Sequence, residues 1–238
     1  MTVRSSWGTA RIPPVILALF AINLALAVMH VLGPPVPSWA ARGDDDREYL
    51  WDLTVEGNVP SWYSGTQLVL IGALMLGLAA NLPRKRASTV VLVLTGLLFA
   101  FLSLDELVSL HEKFGRFLED VGPERGDTAF GVTGVWFIVV APAFVLVVAG
   151  LAHAGRELIT GRRRVQLLYL AGLVLFVGSF AGLELLVNFV SEREREIEVL
   201  EETGEMFGAT VLLWATYELL RSHGVRVFAR EAEAPPGP

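Results

Sequence analysis

The chain has 238 residues, 53% of them hydrophobic, with a mean hydropathy of +0.52 and a formal net charge of -6. That is too apolar for an ordinary soluble domain, and the acidic balance, with no basic face of any size, excludes a nucleic-acid binder. The absence of cysteine excludes disulfides, thiolate nucleophiles and Cys-ligated metal centres, so any metal must be held by His and oxygen ligands.

In chain order, the apolar runs predict an all-α polytopic membrane bundle of six transmembrane helices. The spans fall at about 12–32, 62–82, 88–110, 130–151, 165–190 and 205–220, within a single transmembrane domain at 1–230. The tail at 231–238 has the composition of a disordered segment. Arg4 and Arg11 precede the first span, and Arg84, Lys85 and Arg86 join the second to the third. Arg162, Arg163 and Arg164 join the fourth to the fifth, and Arg221, Arg226 and Arg230 follow the sixth. The positive-inside rule makes these four segments, and both termini, cytoplasmic. The other three loops are acidic (Asp44 to Asp46; Glu119, Asp120, Glu124 and Asp127; Glu192 to Glu202) and face outside an inner membrane. The first span also fits a signal peptide, with Arg4 and Arg11 as its n-region, but its length favours a retained helix.

The loop at 33–61 opens on Pro34, Pro35 and Pro37, turns acidic, and ends among Tyr49, Trp51, Trp62 and Tyr63. Aromatic residues favour the headgroup level, so the loop is expected on the outer surface. It serves there as an interfacial anchor, or as a lid with Asp52, Glu56 or Asn58 facing inward.

Acidic side chains then gather at one depth. Glu106 and Glu184 each lie twenty residues beyond a basic cluster, at Arg86 and Arg164. At ~1.5 Å per residue that is roughly 30 Å, about one hydrocarbon thickness. In the third span Asp105, Ser109 and Glu112 share a helix stripe, with Glu106 about 100° away. His111 lies on another face unless the helix ends or bends near Leu110. Glu184, Asn188 and Ser191 form a second stripe, and Glu198, Glu201, Glu202 and Glu205 a third. Small residues on other faces, Gly96 with Ala100 and Gly178 with Gly182, are expected to pack against neighbouring helices.

Ionisable groups inside apolar spans are costly, which makes them functional candidates. Several carboxylates together need shared protons, basic partners or a metal cation. The candidate metal ligands are Asp105, Glu106, His111, Glu112, Glu184, Glu202, Glu205 and His30. Glu106 and His111 are also the candidate catalytic acid–base groups. Such a donor set suits Zn, Mn or Fe, with Ca possible for an all-oxygen subset. Glu192 to Glu202 also reads as a solvated helix start, where acids complement the helix dipole. His153 and His223, at the cytoplasmic side, read as interfacial side chains. HExxH, ExxH, GxSxG and Walker A sequences are all absent.

Three motifs carry a resemblance: Glu56-Gly-Asn-Val-Pro-Ser-Trp-Tyr-Ser64, Ser103-Leu-Asp-Glu106 followed by His111-Glu112, and Glu201-Glu-Thr-Gly-Glu-Met206. Together they resemble a group of uncharacterised bacterial six-span membrane proteins, from Asp52 to Leu220, which implies the fold and no activity. A looser similarity is to intramembrane metal hydrolases related to alkaline ceramidases and progestin/adiponectin-type receptors. Those have seven spans and a His-rich zinc motif that this chain lacks.

The expected function is therefore a membrane-embedded metalloenzyme acting on a lipid or other membrane-soluble substrate. The alternatives are a cation- or proton-coupled transporter and a non-catalytic module with a structural acidic mouth. Transporter sites usually lie on broken helices near the midplane. Apart from Pro142 in the fourth span, no break is legible.

Overall fold

The computed structural model describes residues 12–33, 49–82, 86–122, 133 and 135–225. The sequence marks at Arg4, Arg11, Pro34, Pro35, Pro37, Asp44, Asp45, Asp46, Arg84, Lys85, Glu124, Asp127, Arg226 and Arg230, and the tail at 231–238, lie outside these residues.

The fold is all-α. Helix α1 is Pro14–Leu32, α2 Val59–Asn81, α3 Arg86–Val108, α4 Leu110–Val121 and α5 Val135–Ile159. Helix α6, Arg163–Val177, runs into a π-helical segment, Gly178–Leu183, and then the short α7, Glu184–Val187. Helix α8 is Glu194–Ser222. Local chemistry sets several ends. Proline stands in the first turn of α1, where its missing N–H costs nothing, and Gly33 closes that helix in the left-handed conformation. Asn58 caps α2 by accepting the Ser61 N–H at 3.2 Å.

Five helices are long and apolar enough to cross a membrane: α1, α2, α3, α5 and the α6–α7 run. Among them only α2 is a central helix, with 56% of its most apolar window buried against 11–22% for the others. The rest therefore present apolar side chains outward, as with Leu24, Leu97, Leu146 and Val174. That much exposed hydrocarbon surface is stable in lipid and not in water, so the chain is an integral helical membrane protein. Helix α8 stands apart from the five because its first half carries the acidic stripe, yet it is the second central element. Leu212, Ala215, Leu219 and Leu220 are buried, and α8 packs on α1, α2 and α6.

Close approaches between helices rest on glycine. A Cβ on Gly72 would stand 2.8 Å from the Gly96 carbonyl, so α2 and α3 meet nearly backbone to backbone. The expected small face at Gly96 is thus a packing face. The expected face at Gly178 and Gly182 is not: a Cβ at either would meet nothing within 4 Å. Helix α6 instead meets α8 through Gly172 and Gly208, and Gly178 and Gly182 lie in the π-helical segment.

A buried polar network ties α1, α2 and α8 together. Asn23 donates to the Met206 carbonyl at 3.1 Å and to Thr210 Oγ1 at 3.0 Å. Gln67 Nε2 donates to Asn23 Oδ1 at 3.2 Å, and Thr210 Oγ1 donates to Gln67 Oε1 at 3.1 Å. All three side chains are buried and mutually satisfied, which fixes the register of three helices in an apolar setting.

The third span differs from its expected 88–110. Helix α3 ends at Val108, Ser109 takes a left-handed conformation (φ 52°), and α4 starts afresh. What reads as an acidic loop is therefore helical through Val121, with Leu110, Phe114, Phe117 and Val121 on one face and Phe114 stacked on Phe117 at 6.4 Å. A non-glycine residue in the left-handed region costs roughly 1–2 kcal/mol. Ser109→Gly is accordingly expected to keep or raise the melting temperature in detergent, and Ser109→Val to lower it. Melting curves by circular dichroism check this.

Candidate functional site

The break at Ser109 builds the first part of the site. Because the chain turns there, the Asp105 side chain reaches forward and accepts the His111 N–H at 2.8 Å through Oδ1. Its other oxygen lies 3.1 Å from His111 Nδ1. Asp105 therefore starts α4 and orients the imidazole at once. A straight helix would have sent His111 to another face. Glu56, from the segment before α2, comes within 3.8 Å of the same Nδ1.

Glu106, one residue on from Asp105, points toward α2 and α8. Its carboxylate is hydrogen-bonded by Ser64 and faces Glu56, His111 and Asp105. Ser103 Oγ donates to the Gly65 carbonyl at 2.7 Å, locking α3 to α2 one turn below.

Helix α8 brings the second part. Glu202 lies within electrostatic range of Glu106, Glu205, Glu56 and Glu198, and Glu205 within range of Glu106, Glu201, Glu184 and Asp105. Glu201 is 9% exposed, and its carboxyl lies within hydrogen-bonding reach of the Glu184 carboxyl of α7. Two carboxyl groups can share a hydrogen bond only if one carries a proton. Glu184 reaches this partner directly after the π-helical segment. The extra residue of a π turn rotates the next helical stretch by roughly 100° relative to an unbroken helix. Asn188 steadies the exit, donating to the Glu184 carbonyl at 3.0 Å and to Thr133 Oγ1 at 3.1 Å.

Glu198 marks the solvent side. Burial first, then the Glu194 and Asp52 carboxylates, hold its carboxyl above the usual range, with Arg195 opposing. Further out, Glu192, Glu194 and Glu196 are exposed. The acidic segment thus divides: its first turn is a solvated helix start, and its second turn faces inward.

Of the expected ligands, Asp105, Glu106, His111, Glu184, Glu202 and Glu205 come together at one end of the bundle. His30 turns instead to the rim, where Nδ1 accepts the Leu53 N–H at 3.1 Å and lies 3.3 Å from Asp52 Oδ1. Asp52 also accepts from Thr54 N and Oγ1 at 3.0 and 2.8 Å, and Asn58 Nδ2 donates to its carbonyl. Glu112 lies on α4, and its side chain is outside the described ones. Glu56 and Glu201 complete the cluster. Glu201 is legible in the sequence as part of the third stripe, but nothing local distinguishes it from solvated neighbours. Among the described residues, no group of three or more His, Asp or Glu side chains takes an arrangement that would hold a metal ion.

A family model matches residues 15–220 and so covers every element of the site. The chain belongs to the family described as a domain of unknown function (DUF8692). The match spans α1 through nearly all of α8, so the carboxylate cluster and the polar network both lie within the family domain. No curated protein matches the chain, and no solved structure does.

Proposed function

We propose that the protein is a proton-exchanging, cation-binding membrane protein, with its carboxylate cluster open to the outer side and its arginine end in the cytoplasm. The carrying observation is the close approach of the Glu184 and Glu201 carboxyl groups, set among Glu106, Glu202 and Glu205. In a low-dielectric bundle these groups cannot all be ionised without counter-charge. On this reading protons shared among the carboxyls supply it, and a divalent cation drawing the carboxylates together would displace them. The π-helical segment beside Glu184 favours the transporter form of this reading, because the fifth span is interrupted at the site where the sequence alone reads as an unbroken run.

The Asp105–His111 pair favours a second reading, the metalloenzyme. A carboxylate holding one imidazole nitrogen fixes the ring's orientation and raises its basicity, as ligand or as general base. Glu106 lies beside it as a proton acceptor or donor.

Calorimetric titration with Mn²⁺ or Zn²⁺, in two buffers of different ionisation enthalpy, tests the shared premise. Saturable binding with at least one proton released per ion is expected. Binding without proton release, or no binding from pH 5 to 8, would overturn the proposal. In proteoliposomes carrying a pH dye, cation-driven proton movement would assign the carrier form, and cation binding without flux the enzyme form.

A further inference from the structure

A basic recess lies at the end of the bundle opposite the carboxylates, and an apolar cavity runs along the helices, its lining reaching Gln166 beside that recess. The cavity, ≈ 280 Å³, is lined mainly by α3, α5 and α6, with Met75 of α2 and Leu212 and Leu219 of α8 also in its wall. It is lined by Phe99, Phe144, Phe176 and aliphatic side chains, with little polar surface apart from Thr95, Gln166 and Tyr169. Tyr169 Oη is already engaged with Thr216 Oγ1 at 3.1 Å, so the wall offers almost nothing to a polar ligand. Along α5 the lining runs from Phe144 to Ile159, roughly 22 Å at ~1.5 Å per residue. The long axis thus follows a membrane-spanning helix, as an acyl chain does.

Gln166 and Leu219 line this cavity, and their sequence neighbours Val165 and Glu218 line the recess. Its walls carry Arg162, Arg163, Arg164 and Arg221 against the single acid Glu218. Glu218 is 9% exposed and organises the group: Arg164 Nη2 is 3.2 Å from Oε1, Arg221 Nη1 is 3.8 Å from Oε2, and Trp214 Nε1 donates at 3.3 Å. Arg164 also lies over the Trp214 ring at 5.3 Å, and Arg221 over Tyr217 at 5.8 Å. Arg162 donates to the Leu158 carbonyl at 2.9 Å, while Arg163 is exposed. Four guanidinium groups against one carboxylate leave a net charge of +3 beside an acyl-shaped cavity.

We propose that this composite site binds one phospholipid with an anionic headgroup, its phosphate on Arg163 and Arg221 and one acyl chain in the cavity. Charge complementarity selects the headgroup, since guanidinium forks match phosphate oxygens bidentately. The adjacency of the two linings along α6, at Val165 and Gln166, and along α8, at Glu218 and Leu219, points to a lipid over a soluble phosphate. The carboxylate cluster plays no part, so the two proposals stand or fall separately.

Native mass spectrometry of the detergent-purified protein tests this with dioleoyl phosphatidylglycerol and dioleoyl phosphatidylcholine. One tightly retained phosphatidylglycerol per chain is expected, with at least a roughly tenfold preference over phosphatidylcholine, weakening as salt rises. Arg163→Gln with Arg221→Gln should abolish the preference. Ala152→Phe, which narrows the cavity, should release the lipid while leaving the arginines in place. Equal retention of the two lipids would overturn the proposal, as would a preference unchanged in the double arginine variant. Retention unaffected by Ala152→Phe, or stabilisation by inorganic phosphate alone, would reduce the site to a surface charge and overturn it too. Should the double variant not fold, Arg163→Gln alone, at an exposed side chain, carries the same expectation in smaller degree.

Discussion

Glu201→Gln is expected to raise thermal stability while weakening divalent-cation binding, two effects of opposite sign from one isosteric change. The amide nitrogen introduced by the substitution can donate to the Glu184 carboxylate, so the hydrogen bond between α7 and α8 is kept without an obligatory proton. One titratable group leaves a crowded, buried set that includes Glu184, Glu202 and Glu198. Relieving such a group is worth on the order of 1 kcal/mol or more. A cation, by contrast, loses a ligand candidate or its immediate neighbour, and changes of that kind weaken metal affinity roughly 10–100-fold. Melting curves in detergent and the calorimetric titration read the two signs on the same preparation. A variant that melts lower and binds cations unchanged would make Glu201 a structural residue and remove it from the exchange site.

The second large effect concerns packing. A Cβ on Gly208 would stand 2.6 Å from the Phe176 backbone nitrogen and 2.8 Å from its Cα, so no side-chain rotation can make room. Gly208→Ala must part α6 from α8, and overpacking of this kind costs roughly 1–3 kcal/mol, occasionally more. Because α6 leads through the π-helical segment to Glu184, the displacement should also disturb the Glu184–Glu201 bond. Gly182→Ala is the control. Its Cβ would meet nothing within 4 Å, and alanine in a helical segment gains roughly 0.5–1 kcal/mol over glycine. Melting temperatures should fall for the first and hold or rise for the second. Equal losses for both would mean that α6 and α8 do not approach each other at Gly208.

The polar network of Asn23, Gln67 and Thr210 is illegible in the sequence for a related reason, since it too depends on how helices meet. Uncharged polar residues in an apolar run weaken the hydropathy signal only slightly, and nothing in their spacing says that three separate helices bring them together. Asn23 and Gln67 are visible as polar residues within long apolar stretches, and only contact distances give them a common partner in Thr210.

By itself, the sequence determined the membrane character and the approximate positions of the apolar helices, although α8 begins at Glu194, before its expected 205, and α5 runs to Ile159, past its expected 151. These follow from local, additive quantities: apolar run length, rise per residue, and the cost of charge in hydrocarbon. Tertiary structure decided which of the deep acids face one another. Facing depends on the accumulated rotation along each helix, and two local events reset it, the left-handed Ser109 and the π-helical Gly178–Leu183. The first swings His111 back onto Asp105; the second brings Glu184 to Glu201. Neither leaves a mark in hydropathy, because each changes the direction of a side chain without changing which residues are apolar.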